Sequence, residues 1–464
     1  MQIPKITRKI LILMSGVAII ISMLALAYGV YDYLQTYHVQ RIRATQTKQF
    51  SSQSKEQSVQ DLAIILQKKV IRCLLLFTFI VFLSSIIISK AYTGNKNTLW
   101  LLAIFFSLLL VFDIVAIWYF EVRSAGLQAQ TNVVKTDDDV EKFFTIHKEQ
   151  NPHIYQLTPV YRVPIGFLWY AITIDEKIQG DIGDVNLYSY AWLTYDFVDD
   201  KDLKGSFIPM NSIKEKKWAY SMLDTQNNKS VANWQESIGI HADFDYKKYP
   251  FDQQRVVITF EHEQYLKNIM LIPDFASYQV ATTPYPAIDK NIRLSGWTIT
   301  NAYFFYSLSN FQADFGIKDY WQTKNYPFLS YVIQIQRNFV ESLIITLLPI
   351  IIILFIIFAG LLVLSKVANP KETVNGILAL LSSLFFANLL SYQTLQRAMM
   401  SPSITYFKTF YIAMYVIIFI AATNCLFYAY KPNFFISYNN NFFPRLLYWP
   451  MVMAIFFVIT LIFF

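Results

Sequence analysis

The chain reads as a multi-pass membrane protein. The expected order is an N-terminal module of three transmembrane helices, an antiparallel β-sandwich in water, and a C-terminal domain of four transmembrane helices. Three observations predict it. Of 464 residues, 55% are hydrophobic and the mean hydropathy is positive, which places the chain among membrane proteins. The apolar residues gather in runs at 10–30, 70–89, 99–120, 340–364, 377–395, 404–428 and 446–464, each near the ~20 residues that cross a bilayer. Between the third and fourth runs lie about 200 residues of mixed polar and aromatic sequence in short alternating stretches, the pattern of half-buried strands. The boundaries that follow are 1–122 for the first module, 123–158 for a linker, 159–337 for the sandwich and 338–464 for the last four helices.

In the first module, Lys5, Arg8 and Lys9 precede the first run, and basic residues mark the short loops at 90–96, 366–371 and 431–445. The positive-inside tendency then puts the N-terminus in the cytoplasm and the sandwich outside. The loop at 31–69 runs against it, with Arg41, Arg43, Lys48, Lys55, Lys68 and Lys69. The stretch "LALAY" at 24–28 fits either an uncleaved helix or a signal-peptidase site. Asp113 falls inside the third run; an ionisable group in hydrocarbon is costly and faces protein or water, so it calls for a partner on another added helix or a neighbouring subunit. Cys73 and Cys425 both lie in apolar runs, where they serve as small hydrophobes and imply no disulfide framework. The net charge of +7 is scattered, which argues against a nucleic-acid surface.

After the third run, "RSAGLQAQTNVVKTDDDVEKFF" suits a linker or a short surface helix. Strand signals follow in "YRVPIGFLWYAITI", "DVNLYSYAWLTYDF", "QESIGIHADF", "RVVITFEHE", "NIMLIPD", "LSGWTITNAYFFYSL" and "FLSYVIQIQ". Short alternating strands with turn residues between them favour a sandwich over a helix-crossed parallel sheet. No repeat, metal-spaced Cys and His set, phosphate-binding Gly loop or Gly-x-Ser-x-Gly elbow is present, so neither an enzyme nor a cofactor is expected.

Four features stand in a fixed order: the turn "DYKKYPFDQQ" at 245–254, the strand "LSGWTI", an arginine just before a proline-containing span in "YVIQIQRNFVESLIITLLPIIIILFI", and four terminal spans. In that order they resemble the pentameric ligand-gated ion channels of bacteria, over roughly 161–464. The positions of that family's cysteine pair are Ala242 and Val256 here, so the disulfide is missing. The resemblance implies a homopentamer in a bacterial inner membrane, surrounded by lipid, with inorganic cations as the permeant species. It also implies a coupling contact between Asp252 and Arg337, joined by Asp175 or Glu176 of "TIDEKI". Tyr249, Pro250 and Phe251 of the turn would pack on "SPSITY" at 401–406, with Pro402 and Thr405. Lys247 and Lys248 suit lipid headgroups or acids of a neighbouring subunit.

The pore is expected on "PKETVNGILALLSSLFFANLLSYQTLQ", where Glu372, Asn375, Ser382 and Gln393 lie near one helical face. Ala379 and Phe386 or Leu389 complete that face, with Ser383 and Asn388 adjoining. Glu372 would form an acidic ring favouring cations, opposed by Lys371 beside it. Phe385, Phe386 and Leu389 would form a constriction that gates by dewetting. A polar stripe that only packs on other helices is the alternative. Tyr303, Phe305, Tyr320 and Trp321, near the hairpin that in the family covers the ligand site, suit an organic cation or simply fill a core. Glu261, His262 and Glu263 suit protons or a divalent cation, or a solvated strand end. The effector is thus a small molecule, a proton or a divalent cation. A non-conducting receptor or scaffold of the same fold is the competing expectation.

Overall fold

A computed structural model describes residues 96–123, 132–156, 159–175, 182–196, 205–224, 229–264, 267–278, 285–292, 294–313, 316, 320, 322–366, 370–399, 403–430 and 438–464. The first two apolar runs, Glu176, Trp321 and Pro402 lie outside these residues. The third run is helix α1 (Lys96–Arg123). β1 (Val133–Val134), α2 (Asp137–Gln150) and α3 (Pro152–Gln156) come next.

Among the described residues nine further strands follow: β2 (Tyr161–Asp175), β3 (Ile182–Asp196), β4 (Phe207–Pro209), β5 (Ser212–Asp224), β6 (Lys229–Asp243), β7 (Gln253–His262), β8 (Ile269–Pro273), β9 (Trp297–Asn310) and β10 (Lys324–Arg337). They form two five-stranded sheets with β1, ordered β1-β9-β10-β7-β4 and β5-β6-β3-β2-β8. Strand β7 alternates half-buried and buried residues along its whole length, the period-2 signature of a strand with one face on a core. The sheets meet through rings: Phe167 stacks on Phe260 at 4.3 Å, and Trp169 lies between Phe167 and Tyr331 at 5.4 and 6.3 Å.

Two expectations need correction. The sandwich is not wholly antiparallel, because β8 pairs parallel with β2 from Tyr161↔Ile269 to Ile165↔Pro273. The expected linker also contributes to the sandwich. β1 extends the edge of β9 through Val133↔Phe305, and Phe143 of α2 stacks on Tyr306 at 4.3 Å. Thr136 caps α2 by accepting the Asp139 N–H at 3.3 Å, and Asp137, Asp138 and Asp139 fill its first turn, where negative charge is favoured. Its apolar stripe is narrow: Val140, Phe144 and His147 are the buried residues of a 14-residue helix.

Helices α4 (Phe339–Lys366), α5 (Pro370–Met399), α6 (Tyr406–Tyr430) and α7 (Tyr438–Phe463) complete the chain. Among the described residues, α1 and these four are long and apolar enough to cross a membrane. α5 packs on α4 and α6, α7 packs on the same two helices, and α1 lies along α7. Tyrosine hydroxyls donate to carbonyls of α4: Tyr411 to Thr346 at 2.8 Å, in the turn before Pro349, and Tyr448 to Leu354 at 2.9 Å.

Candidate functional site

The sheets meet the helices where β10 runs into α4, with Asn338 alone between them. Arg337 is buried there and grips Asp252 with two donors, Nε to Oδ1 at 2.7 Å and a terminal nitrogen to Oδ2 at 3.1 Å. Bidentate guanidinium–carboxylate pairs are strong and directional. The guanidinium also lies 4.2 Å from the Trp297 ring centroid and 4.9 Å from that of Tyr249, so two aromatic faces clamp the cation. Gly296, at φ +75°, takes a left-handed turn ahead of Trp297 and accepts the Asn338 N–H at 2.9 Å; glycine alone adopts that backbone without strain.

Gln254 sets the carboxylate from the other side. Its Nε2 donates to Asp252 Oδ2 and to the Asp245 carbonyl, both at 3.0 Å, while its Oε1 accepts the Asp245 N–H at 2.9 Å. The turn between Asp245 and Gln254 is therefore closed across its base. The Tyr249–Pro250 peptide within it is cis. Asp175 is exposed at the end of β2.

The turn's rings enter the packed interior of the helices. Tyr249 and Phe251 join the apolar cluster of the helices, and Phe251 meets Trp118 at 5.2 Å, Phe339 at 5.3 Å and Phe464 at 6.0 Å. The turn also meets the end of the α5–α6 link through backbone, the Tyr406 N–H donating to the Lys247 carbonyl at 2.8 Å. Thr405 is buried at the start of α6, where its carbonyl accepts the Thr409 N–H at 3.1 Å. Lys248 has a partner within the chain: its Nζ bonds Glu121 of α1 at 2.6 Å.

On α5, Val374, Ile377, Leu381, Leu384, Asn388 and Leu395 are buried at the 3–4 spacing of one helical face. Asn388 donates to the Tyr411 carbonyl at 3.1 Å, so it belongs to that packed face. The opposite face carries Glu372, Ala379, Phe386, Leu390 and Arg397, with Asn375, Ser382, Ser383, Gln393 and Thr394 flanking it, and all of these are exposed. Two residues move relative to expectation. Leu389 is only half-exposed while Leu390 is 64% exposed, and Phe385 leans sideways onto Tyr415 of α6 at 5.0 Å. Arg397 continues the polar stripe one turn beyond Gln393, at the same spacing.

The candidate ligand residues separate into three places. Tyr303 and Phe305 are buried with Val332, against Val133 and Val257. Tyr320 donates to Gln322 Oε1 at 2.7 Å, and Gln322 hydrogen-bonds Glu261. His262, on the opposite face of β7 from its neighbours, points to the core: its Nδ1 accepts the Gln264 N–H at 3.1 Å and its Nε2 meets the Tyr195 hydroxyl at 3.0 Å. That hydroxyl donates to the Gly205 carbonyl at 3.0 Å, so the Nε2 proton belongs to the histidine. Burial pushes His262 down to about 4, which keeps it neutral at ordinary pH. Glu263 accepts the Ser206 N–H at 2.9 Å. Among the described residues there is no group of three or more metal-ligating side chains.

No family model and no curated protein matches the chain.

Proposed function

We propose that the protein is a homopentameric ligand-gated channel of a bacterial plasma membrane, with the sandwich outside and cations as the permeant species. The stimulus acts on the sandwich and reaches the helices through the junction at Arg337. The carrying observation is that junction: a buried, ring-clamped Asp252–Arg337 pair one residue away from the start of α4. A paired buried charge has two well-defined outcomes, held or broken, and breaking one by removing a partner costs ~3–5 kcal/mol. That suits an element whose states differ by a few kcal/mol.

The exposed face of α5 supports the pore. Glu372 stands at one end, Arg397 at the other, and Ala379, Phe386 and Leu390 between them, giving charged mouths around an apolar middle that can dewet. The test is reconstitution of the full chain in liposomes, with its mass measured in detergent. The expected particle is five times the 54.1 kDa subunit, with cation flux that a stimulus on the sandwich switches on. A pentamer that stays impermeable across pH, calcium and amine conditions would make the protein a receptor without a pore.

A further inference from the structure

The end of α1 reaches the same junction. Trp118 packs its ring on Phe251 at 5.2 Å and donates from Nε1 to the Tyr406 hydroxyl at 2.9 Å. Tyr406 in turn meets Thr460 Oγ1 of α7 at 2.6 Å, and Thr460 donates to the Phe456 carbonyl at 2.8 Å. One donor chain thus ties α1, α6 and α7. Three residues further along α1, Glu121 pairs with Lys248 at 2.6 Å, and that ammonium lies 5.2 Å from the Phe464 ring centroid. Glu121 has only 10% of its side chain exposed and Lys248 40%, so the pair is partly shielded from water.

The contacts fall on the moving parts of the proposed mechanism. Phe251 is the residue before Asp252, Lys248 belongs to the same turn, and the Tyr406 N–H bonds the Lys247 carbonyl. Any displacement of the turn therefore works against Trp118 and Glu121. Among the described residues the main packing of α1 is along α7, so its junction end is where it can bear on opening.

We propose that α1 is a regulatory arm: through Trp118 and the Glu121–Lys248 pair, the N-terminal membrane segment sets how readily the junction lets the pore open. The inference rests on the channel reading above. It deepens that reading by assigning the segment a role at a named contact. A change in the position of α1, whether from the segments before it or from the surrounding bilayer, then alters the response to the stimulus.

The test is a double-mutant cycle in the full-length protein, read twice. The variants are Glu121→Gln, Lys248→Gln, the double variant, and the charge swap Glu121→Lys with Lys248→Glu. The first reading is thermal unfolding of the purified oligomer, which reports whether the pair couples regardless of conduction. The second is the half-maximal stimulus for current. Each single variant is expected to move that midpoint in the same direction by at least about 5-fold, the lower end of ordinary allosteric coupling. The double variant should move it no further than a single one, and the swap should return it toward the wild type. Coupling in unfolding with an unmoved midpoint would make α1 a strut and overturn the proposal. Independent effects on the midpoint would overturn it too. A wild-type protein that never conducts would instead remove the channel reading itself.

Discussion

Asp252 and Arg337 owe their stability to each other. Neither charge is tolerable alone at this depth, where the Asp252 side chain is 0% exposed and that of Arg337 9%. Asp252→Asn or Arg337→Gln should each lower unfolding stability by ~3–5 kcal/mol, while the double variant should cost clearly less than the sum. Strict additivity in urea unfolding would show that the two do not act as a pair. Arg337→Lys should not rescue, because an ammonium offers neither the two-pronged grip nor the flat face that Trp297 and Tyr249 clamp. Glu236 provides a second test at this scale. It lies in the core beside Ser189, which donates to it at 2.7 Å, and burial lifts its carboxyl from 4.5 to about 7. The folded state holds that proton where the unfolded chain has released it, so stability falls as pH rises from about 4.5 through 7. Glu236→Gln should therefore stabilise the protein at pH 8, by as much as ~3 kcal/mol, and the gain should vanish near pH 4.5. An equal gain at both pH values would assign it to packing. His262 slopes the other way: with its folded value near 4 against 6.5 unfolded, it costs stability as pH drops through that interval.

Among the elements, α5 offers the clearest functional prediction. Leu390 and Phe386 are at the middle of its exposed face, at 64% and 61% exposure, so Leu390→Ser should raise current without stimulus more than Leu389→Ser does. Equal effects would mean the register is wrong. Glu372→Gln should shift reversal potentials toward anions and Arg397→Gln toward cations; a shift of the opposite sign from either would remove that residue from the pore. The exposed stripe of α5 was legible in the sequence because Glu372, Asn375, Ser382 and Gln393 fall near one helical face. So was β7, whose "RVVITFEHE" alternates cleanly. β5 was not. It is the edge of its sheet, and Lys214, Glu215, Lys216 and Lys217 give it the charges that guard an edge from pairing with another chain while masking its alternation. β4 escaped because three residues carry no period. The Asp252–Arg337 contact was expected from resemblance, but the Lys248–Glu121 pair spans 127 residues, and no local pattern announces such a partner.

For the whole molecule, the decisive arrangement is the placement of α5 and α1 on opposite flanks of the α4, α6 and α7 set. In a ring of subunits with α5 inward, α1 comes to the rim. A cysteine placed at Ser383 should react with a small charged thiol reagent and lose current, whereas one at Leu108, which is 63% exposed, should react only with a membrane-soluble reagent. The reverse pattern would turn the subunit around. Asp113 is consistent with a rim helix that nonetheless turns one side inward. It is fully buried and neither of its carboxylate oxygens has a hydrogen-bond partner, so the partner expected for it on another helix is not found among the described residues.

The splice at Asn338 has a mechanical meaning. A strand advances ~3.3 Å per residue and a helix 1.5 Å, and here the two are joined with no spare chain, pinned on one side by the Asn338 bond to Gly296 and on the other by the Arg337 bond to Asp252. In the proposed channel, a pull along β10 would reach the first turn of α4 with little slack, as through a rod rather than a cord. Two glycines inserted between Arg337 and Phe339 would act as a slipping clutch, leaving the sandwich and the helices each intact while the one idles against the other.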